Sequence, residues 1–201
     1  MTAARRWLRA EHAQLATDRI LDAAAQAFAE QGVAATRMDD VARLARCSRG
    51  TLYRYFDSRE QLHLAYIHRE AARIHGQLRQ RLDEAQCPGD AIIDGMTHAL
   101  AEVRNNPTLS AWFAADAQGT TNLLAGSSVP LFEMAVGFLN SLLEPASHAG
   151  RLRTDVDRRD AAEWLMRAMF SMLSVTGPAA RTPEQETRYL RQFVLPAVLS
   201  D

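Results

Sequence analysis

The sequence predicts an all-α fold of about nine helices. Three observations predict it. Apolar residues recur at i, i+3, i+4 and i+7 along most of the chain. There is no convincing alternating run of β-branched residues that could pair as a hairpin. The 201 residues are 47% hydrophobic, enough to fill a sizeable core. The pattern divides into a three-helix N-terminal domain over residues 1–63, with residues 1–16 as an arm, and a helical body over 64–201 joined to it by a long helix.

The first helix is expected over residues 17–31, with Ile20, Ala24, Ala27 and Phe28 as its apolar stripe and Gly32 as its stop. Thr36 is expected to cap a second helix, with Asp39 as its box partner and Met38, Val41 and Ala45 turned inward. After a tight turn at Arg46-Cys47, Ser48 caps a third helix that buries Leu52 and Phe56. Asp57 or Ser58 caps a fourth, running to about residue 84 with Leu64, Ile67, Ala71, Ile74, Leu78 and Leu82 along one side. Further helices are expected over 90–105, 107–117, 129–144, 157–175 and 184–199. Pro107, the 119–130 stretch, Pro145–Gly150 and Gly177-Pro178 separate them, and 117–128 is expected to be a flexible loop.

Two short helices joined by a tight turn make a helix-turn-helix, whose second helix enters the DNA major groove. With Leu52 and Phe56 inward, Arg49, Gly50, Tyr53 and Arg54 face outward, flanked by Thr51 and Tyr55. Arginine reads guanine edges bidentately, and Thr and Tyr hydroxyls suit phosphates. Gly50 lets the backbone come close to a duplex. Thr36-Arg37 and Ser58-Arg59 each open a helix, where free N–H groups suit a phosphate, so Thr36, Arg37 and Arg59 are candidate backbone clamps. Arg5, Arg6, Trp7, Arg9 and His12 make the first 16 residues either a basic minor-groove arm or an extension that touches nothing.

These residues resemble the DNA-binding domain of the TetR family of bacterial one-component regulators. The resemblance rests on Ser48-Arg49-Gly50-Thr51-Leu52-Tyr53-Arg54-Tyr55-Phe56, Ser58-Arg59-Glu60-Gln61-Leu62, Asp39-Asp40-Val41-Ala42, Ile20-Leu21-Asp22-Ala23-Ala24 and Phe28-Ala29-Glu30-Gln31-Gly32. It covers about residues 17–64; beyond that it is architectural only. It implies that Arg49, Gly50, Thr51 and Arg54 touch bases or nearby phosphates, that Tyr53 and Tyr55 line the groove, and that Thr36, Arg37 and Arg59 clamp backbone. One departure is the turn, which in the family usually reads Ala-Gly-Val-Ser and here reads Ala45-Arg46-Cys47-Ser48. A non-glycine at that place implies an αL residue at modest cost.

The C-terminal part holds large soft side chains that suit an adaptable apolar cavity. Met96, Trp112, Phe113, Phe132, Phe138, Trp164 and Met169 are the candidate lining of a pocket for a small apolar or amphipathic effector. His98, Arg104, Asp116, Asn122 or Glu163 would orient its polar end. The resemblance implies pairing of the last two long helices into a homodimer. Ala168, Ser171 and Val175, in one stripe with Trp164, and Leu190, Phe193, Val194 and Ala197 are the candidate interface, in competition with the protomer's own core. It also implies a repressor that leaves a palindromic operator when an effector binds; an activator is the alternative.

Other classes find little support. There is no Gly-rich phosphate loop, His-Glu-x-x-His, Gly-x-Ser-x-Gly or Cys-x-x-Cys, so an enzyme is not expected, nor a cofactor or metal. A helical adaptor would need the Arg49–Tyr55 face for protein contact instead. The 23 basic residues, all arginine, and 24 acidic residues nearly cancel, which argues against a nucleic-acid-coating protein. Cys47 and Cys87 make no disulfide framework and fit a reducing cytosol. With no secretory leader pattern and no apolar span, a cytoplasmic protein is expected.

Overall fold

The computed structural model describes residues 3–82, 87–113, 129–175 and 181–200, with the side chains of 3–10, 79–82, 112 and 129–131 outside that description. The expected loop at 117–128 and the candidates Asp116 and Asn122 lie outside the described residues, as does the side chain of Trp112. Nine α-helices are described: α1 Ala3–Gln31, α2 Met38–Leu44, α3 Arg49–Tyr55, α4 Arg59–Leu82, α5 Pro88–Asn105, α6 Pro107–Phe113, α7 Val129–His148, α8 Arg158–Ser174 and α9 Pro183–Tyr189. No helix among the described residues is long and apolar enough to cross a membrane. Packing divides the chain into two compact units, Met1–Arg69 and Glu70–Asp201, with the boundary inside α4.

In the first unit α1 begins fourteen residues before the expected start. Residues 3–16 hold no Pro or Gly and are rich in Ala, Leu, Arg, Glu and Gln, so nothing stops the helix. Ile20, Leu21, Ala24, Ala27 and Phe28 are buried, and Gly32 ends the helix at φ 81° while its N–H returns to the Phe28 carbonyl. Thr36 does not cap α2. It is 2% exposed, and its hydroxyl donates to the Ala27 and Gly32 carbonyls at 3.2 and 2.8 Å, stitching the loop to the end of α1. Arg37 is the capping residue instead, its N–H bonded to the Asp40 carboxylate at 3.2 Å. Asp39 and Asp40 in the first turn and Arg43 in the last complement the helix dipole.

The turn after α2 is a Schellman motif. Arg46 sits at φ 51°, its N–H bonds the Arg43 carbonyl, and the Cys47 N–H reaches back to Ala42. Ser48 Oγ then accepts the Thr51 N–H at 3.0 Å to start α3, with Leu52 and Phe56 buried. Ser58 accepts the Gln61 N–H to start α4, while the Gln61 side chain accepts from the Asp57 N–H. Leu62, His63 and Tyr66 of α4 are buried, and Phe28 meets the His63 and Tyr66 rings edge-on at 5.0 and 5.4 Å.

The core of the second unit is built from Ile92, Ile93 and Met96 of α5, Val136, Leu139, Leu142, Leu143 and Ala146 of α7, Ala161, Ala162 and Leu165 of α8, and Leu190, Val194 and Val198 beyond α9. Gly95 permits the approach of α5 to α7: a Cβ there would lie 2.8 Å from Leu142 Cδ1. α7 continues through Pro145, expected as a break, to His148. Asn106 caps α6 by accepting the Thr108 and Leu109 N–H groups, and Asp157 caps α8 by accepting those of Arg159 and Asp160.

The last expected helix is divided. A capping box between Thr182 and Gln185 opens α9. The chain then widens into a π-turn over Leu190–Val194 and tightens into a 3-10 turn over Leu195–Ala197. Pro196 has no N–H to give to the ladder, which forces that change of pitch. Leu152 and Leu199 form an isolated antiparallel bridge that ties this segment to the loop after α7. Arg104 donates bidentately to Glu186 at 2.9 and 2.8 Å and also to the Met172 carbonyl at 3.2 Å, joining α5, α8 and α9.

Candidate nucleic-acid interface

The outer surface of the first unit is set by how α3 is held. Leu52 is fully buried on one side and Phe56 anchors the C-terminal end, so the opposite side must face solvent. Arg49, Gly50 and Arg54 are exposed; Thr51, Tyr53 and Tyr55 are half-buried. The two arginines lie over aromatic rings of their own helix. Arg49 is 5.4 Å from the Tyr53 centroid and Arg54 is 5.5 Å from that of Tyr55. These contacts restrain two long side chains that would otherwise be freely rotating, so less freedom is lost when they meet a ligand.

Gly50 has no structural duty. An added Cβ would meet only Ser48 Oγ, 4.0 Å away. The missing side chain therefore leaves open surface at the start of α3, where the first N–H groups of the helix also emerge. Thr51 shares a 2.9 Å contact with the Ser48 hydroxyl, which holds it at the edge of this surface. Tyr55 borders a surface groove of about 640 Å³ lined also by Leu21, Phe56, Leu64, His68 and Arg69.

Of the flanking candidates, Arg37 is exposed at the start of α2. Arg59 is half-buried and donates to the Val33 carbonyl at 3.2 Å, so it braces the loop before α2. Thr36 leaves the set: both its hydroxyl and its N–H, the latter bonded to the Gly32 carbonyl, are engaged inside the unit. One residue that sequence reasoning missed joins the face. Asp39 of α2 meets Arg49 at 3.3 Å, with both side chains largely exposed. The two are ten positions apart, and only the turn at Arg46 brings them together, so no spacing rule could have paired them.

In the second unit Phe132, Phe138 and Met169 pack, half-buried, against the margin of the core. Phe113 of α6 meets Phe170 edge-on at 5.5 Å. Of the other effector candidates, Met96 is fully buried in the core and Trp164 of α8 is 46% exposed. Arg104 is committed to Glu186, and Glu163 to Arg167. Among the candidate dimer residues, Leu190 and Val194 pack in the protomer's own core. Ser171, Val175 and Phe193 are exposed, and Ala168 and Ala197 half-buried.

Residues 20–66 match the family model described as bacterial regulatory proteins, tetR family. Across 192 residues, 96% of this chain and 90% of the relative, the sequence is 38% identical to an uncharacterized HTH-type transcriptional regulator of Mycobacterium tuberculosis. A TetR-family transcriptional regulator from Pectobacterium atrosepticum superposes with a TM-score of 0.71 at 22% identity, covering 100% of this chain and 99% of that one. RolR, solved in complex with resorcinol, superposes with a TM-score of 0.71 at 20% identity over 94% of this chain and 90% of its own. The family model lies over the helix-turn-helix, and the mycobacterial relative extends the likeness almost from end to end. The chain belongs to the TetR family of bacterial regulatory proteins and is a DNA-binding transcriptional regulator rather than an enzyme.

Proposed function

We propose that this regulator is a repressor that binds a palindromic operator as a homodimer and releases it when a small apolar or amphipathic effector occupies the second unit. The observation that carries the reading is the exposed surface of α3, with two arginines seated on tyrosine rings beside a glycine the fold does not require. In a two-fold dimer, two such helices would enter successive major grooves about 34–36 Å apart. Arg49 and Arg54 would read base edges, Thr51, Tyr53 and Tyr55 would contact phosphates or the groove wall, and Arg37 and Arg59 would flank them.

Dimerisation is supported by the exposed apolar side chains of Trp164, Val175 and Phe193. Effector binding is supported by the Met and aromatic side chains at the core margin and by the fold shared with RolR, which takes resorcinol. A coupling of about 1–3 kcal/mol between effector and DNA would change operator affinity about 5- to 150-fold. With DNA as partner, the protein would act in the cytoplasm.

The test is a binding titration of purified protein against intergenic DNA flanking its gene. Tight, salt-sensitive binding to a palindromic fragment is expected. The Arg49→Ala variant should lose about 1–3 kcal/mol, concentrated at particular base pairs. A uniform small loss across all fragments rejects base reading by Arg49. Equal operator affinity with and without each bound ligand rejects release.

A further inference from the structure

The α3 surface carries one negative charge that α3 itself does not supply. Asp39, in the first turn of α2, lies with its carboxylate 3.3 Å from Arg49 Nη1. The side chains are 66% and 64% exposed, so the pair adds little to folding stability. Its effect falls instead on the electrostatics of the face that meets DNA. We infer that Asp39 is a specificity-determining residue: it holds Arg49 in a base-reading pose and cancels its charge toward phosphates, exchanging indiscriminate DNA affinity for discrimination between sequences. The inference rests on the reading of α3 as the recognition helix.

The geometry gives the mechanism. Arg49 is restrained on two sides, with one Nη donor on the Asp39 carboxylate and the guanidinium over the Tyr53 ring. Arginine has five N–H donors in a planar fork, so donors remain to meet the two acceptors of a guanine edge. An arginine held this way keeps its orientation for that edge. Contact with a phosphate elsewhere requires breaking the pair first. A free Arg49 would reach any phosphate nearby, adding affinity for every sequence alike. The turn that sets the pair is specific too, since Arg46 at φ 51° reverses the chain so that the start of α2 faces the start of α3.

The salt dependence of binding reads the inference directly. Asp39→Asn removes the carboxylate charge and keeps the side chain's size. It should add about one effective phosphate contact, steepening the slope of log K against log salt by about 0.9. Non-specific DNA should then bind several-fold tighter at low salt, and the ratio of operator to non-specific affinity should fall. Asp39→Glu keeps a carboxylate within reach of Arg49 and should keep the wild-type slope. Placing Asp39→Asn in an Arg49→Ala background tests whether Asp39 acts through Arg49, because there it should change neither slope nor ratio. An unchanged slope and ratio in Asp39→Asn would overturn the inference. So would a change that persists without Arg49, since that would make Asp39 a bare repulsive charge. If α3 does not read DNA at all, the wild-type protein itself shows no operator preference, a result separate from either outcome.

Discussion

At Gly50 the helix has room for a side chain and does not use it. Alanine there should stabilise the first unit by up to about 1 kcal/mol, because glycine is the costlier residue in a helix. The same methyl group would stand between the start of α3 and a duplex. Gly50→Ala should therefore raise the melting temperature while weakening operator binding, and a variant that gains in both measurements would remove Gly50 from the interface. His63 makes a different prediction. Burial, with Arg59 nearby, pushes it down to about 4. Unfolded, it titrates near 6.5. Above that value both states are neutral at this residue. As pH falls from 6.5 toward 4, the unfolded chain takes up a proton that the folded chain refuses. Stability should then fall by roughly 1.4 kcal/mol per pH unit within that window and level off below it. Denaturant titrations at pH 7, 5.5 and 4.5 should show the decline, and His63→Leu should lack this component.

Elements were legible where a local rule acts alone. The cap at Ser48 and the burial of Leu52 and Phe56 follow from residue type and helical spacing. The αL turn at Arg46 followed from a single residue standing where its family usually has glycine. Legibility failed where two local rules compete. Thr36 has the residue type of a cap, but tertiary bonds to α1 claim its hydroxyl and pass the capping place to Arg37. Pro145 looks like a break, yet α7 runs through it, whereas the segment expected as one helix over 184–199 changes pitch around Pro196. The turn itself can be tested. Arg46 holds a left-handed conformation that costs an L-residue about 1–2 kcal/mol. Arg46→Gly should stabilise the first unit by roughly 1 kcal/mol in denaturant titration, less a part offset by glycine's freedom in the unfolded chain. A loss of stability would mean that the Arg46 side chain makes a contact that matters more than its backbone.

For the molecule as a whole, the first unit's surface was readable from its motif, whereas the second unit's was not. Met and aromatic residues fill cores and line cavities with equal ease, so periodicity could not separate enclosed Met96 from half-buried Met169. The last helical segment shows apolar residues on two sides, and only packing decides that Leu190 and Val194 turn inward while Phe193 stays 58% exposed. A charge at that position should spare the fold and spoil association. Phe193→Asp should sediment as a monomer, lose the concentration dependence of its melting temperature and lose operator affinity through lost bivalency. A variant that remains dimeric would place the interface elsewhere.

α4 passes from Arg59 to Leu82 without interruption, although packing assigns its first turns to one unit and its remainder to the other. Residues 69 and 70 are therefore helical, where many two-part proteins have an extended connector. Limited proteolysis should find no cleavable site there. A fragment stopped at residue 69 would expose four newly orphaned carbonyls and fray backward, so a dissection should leave Arg59–Leu82 whole.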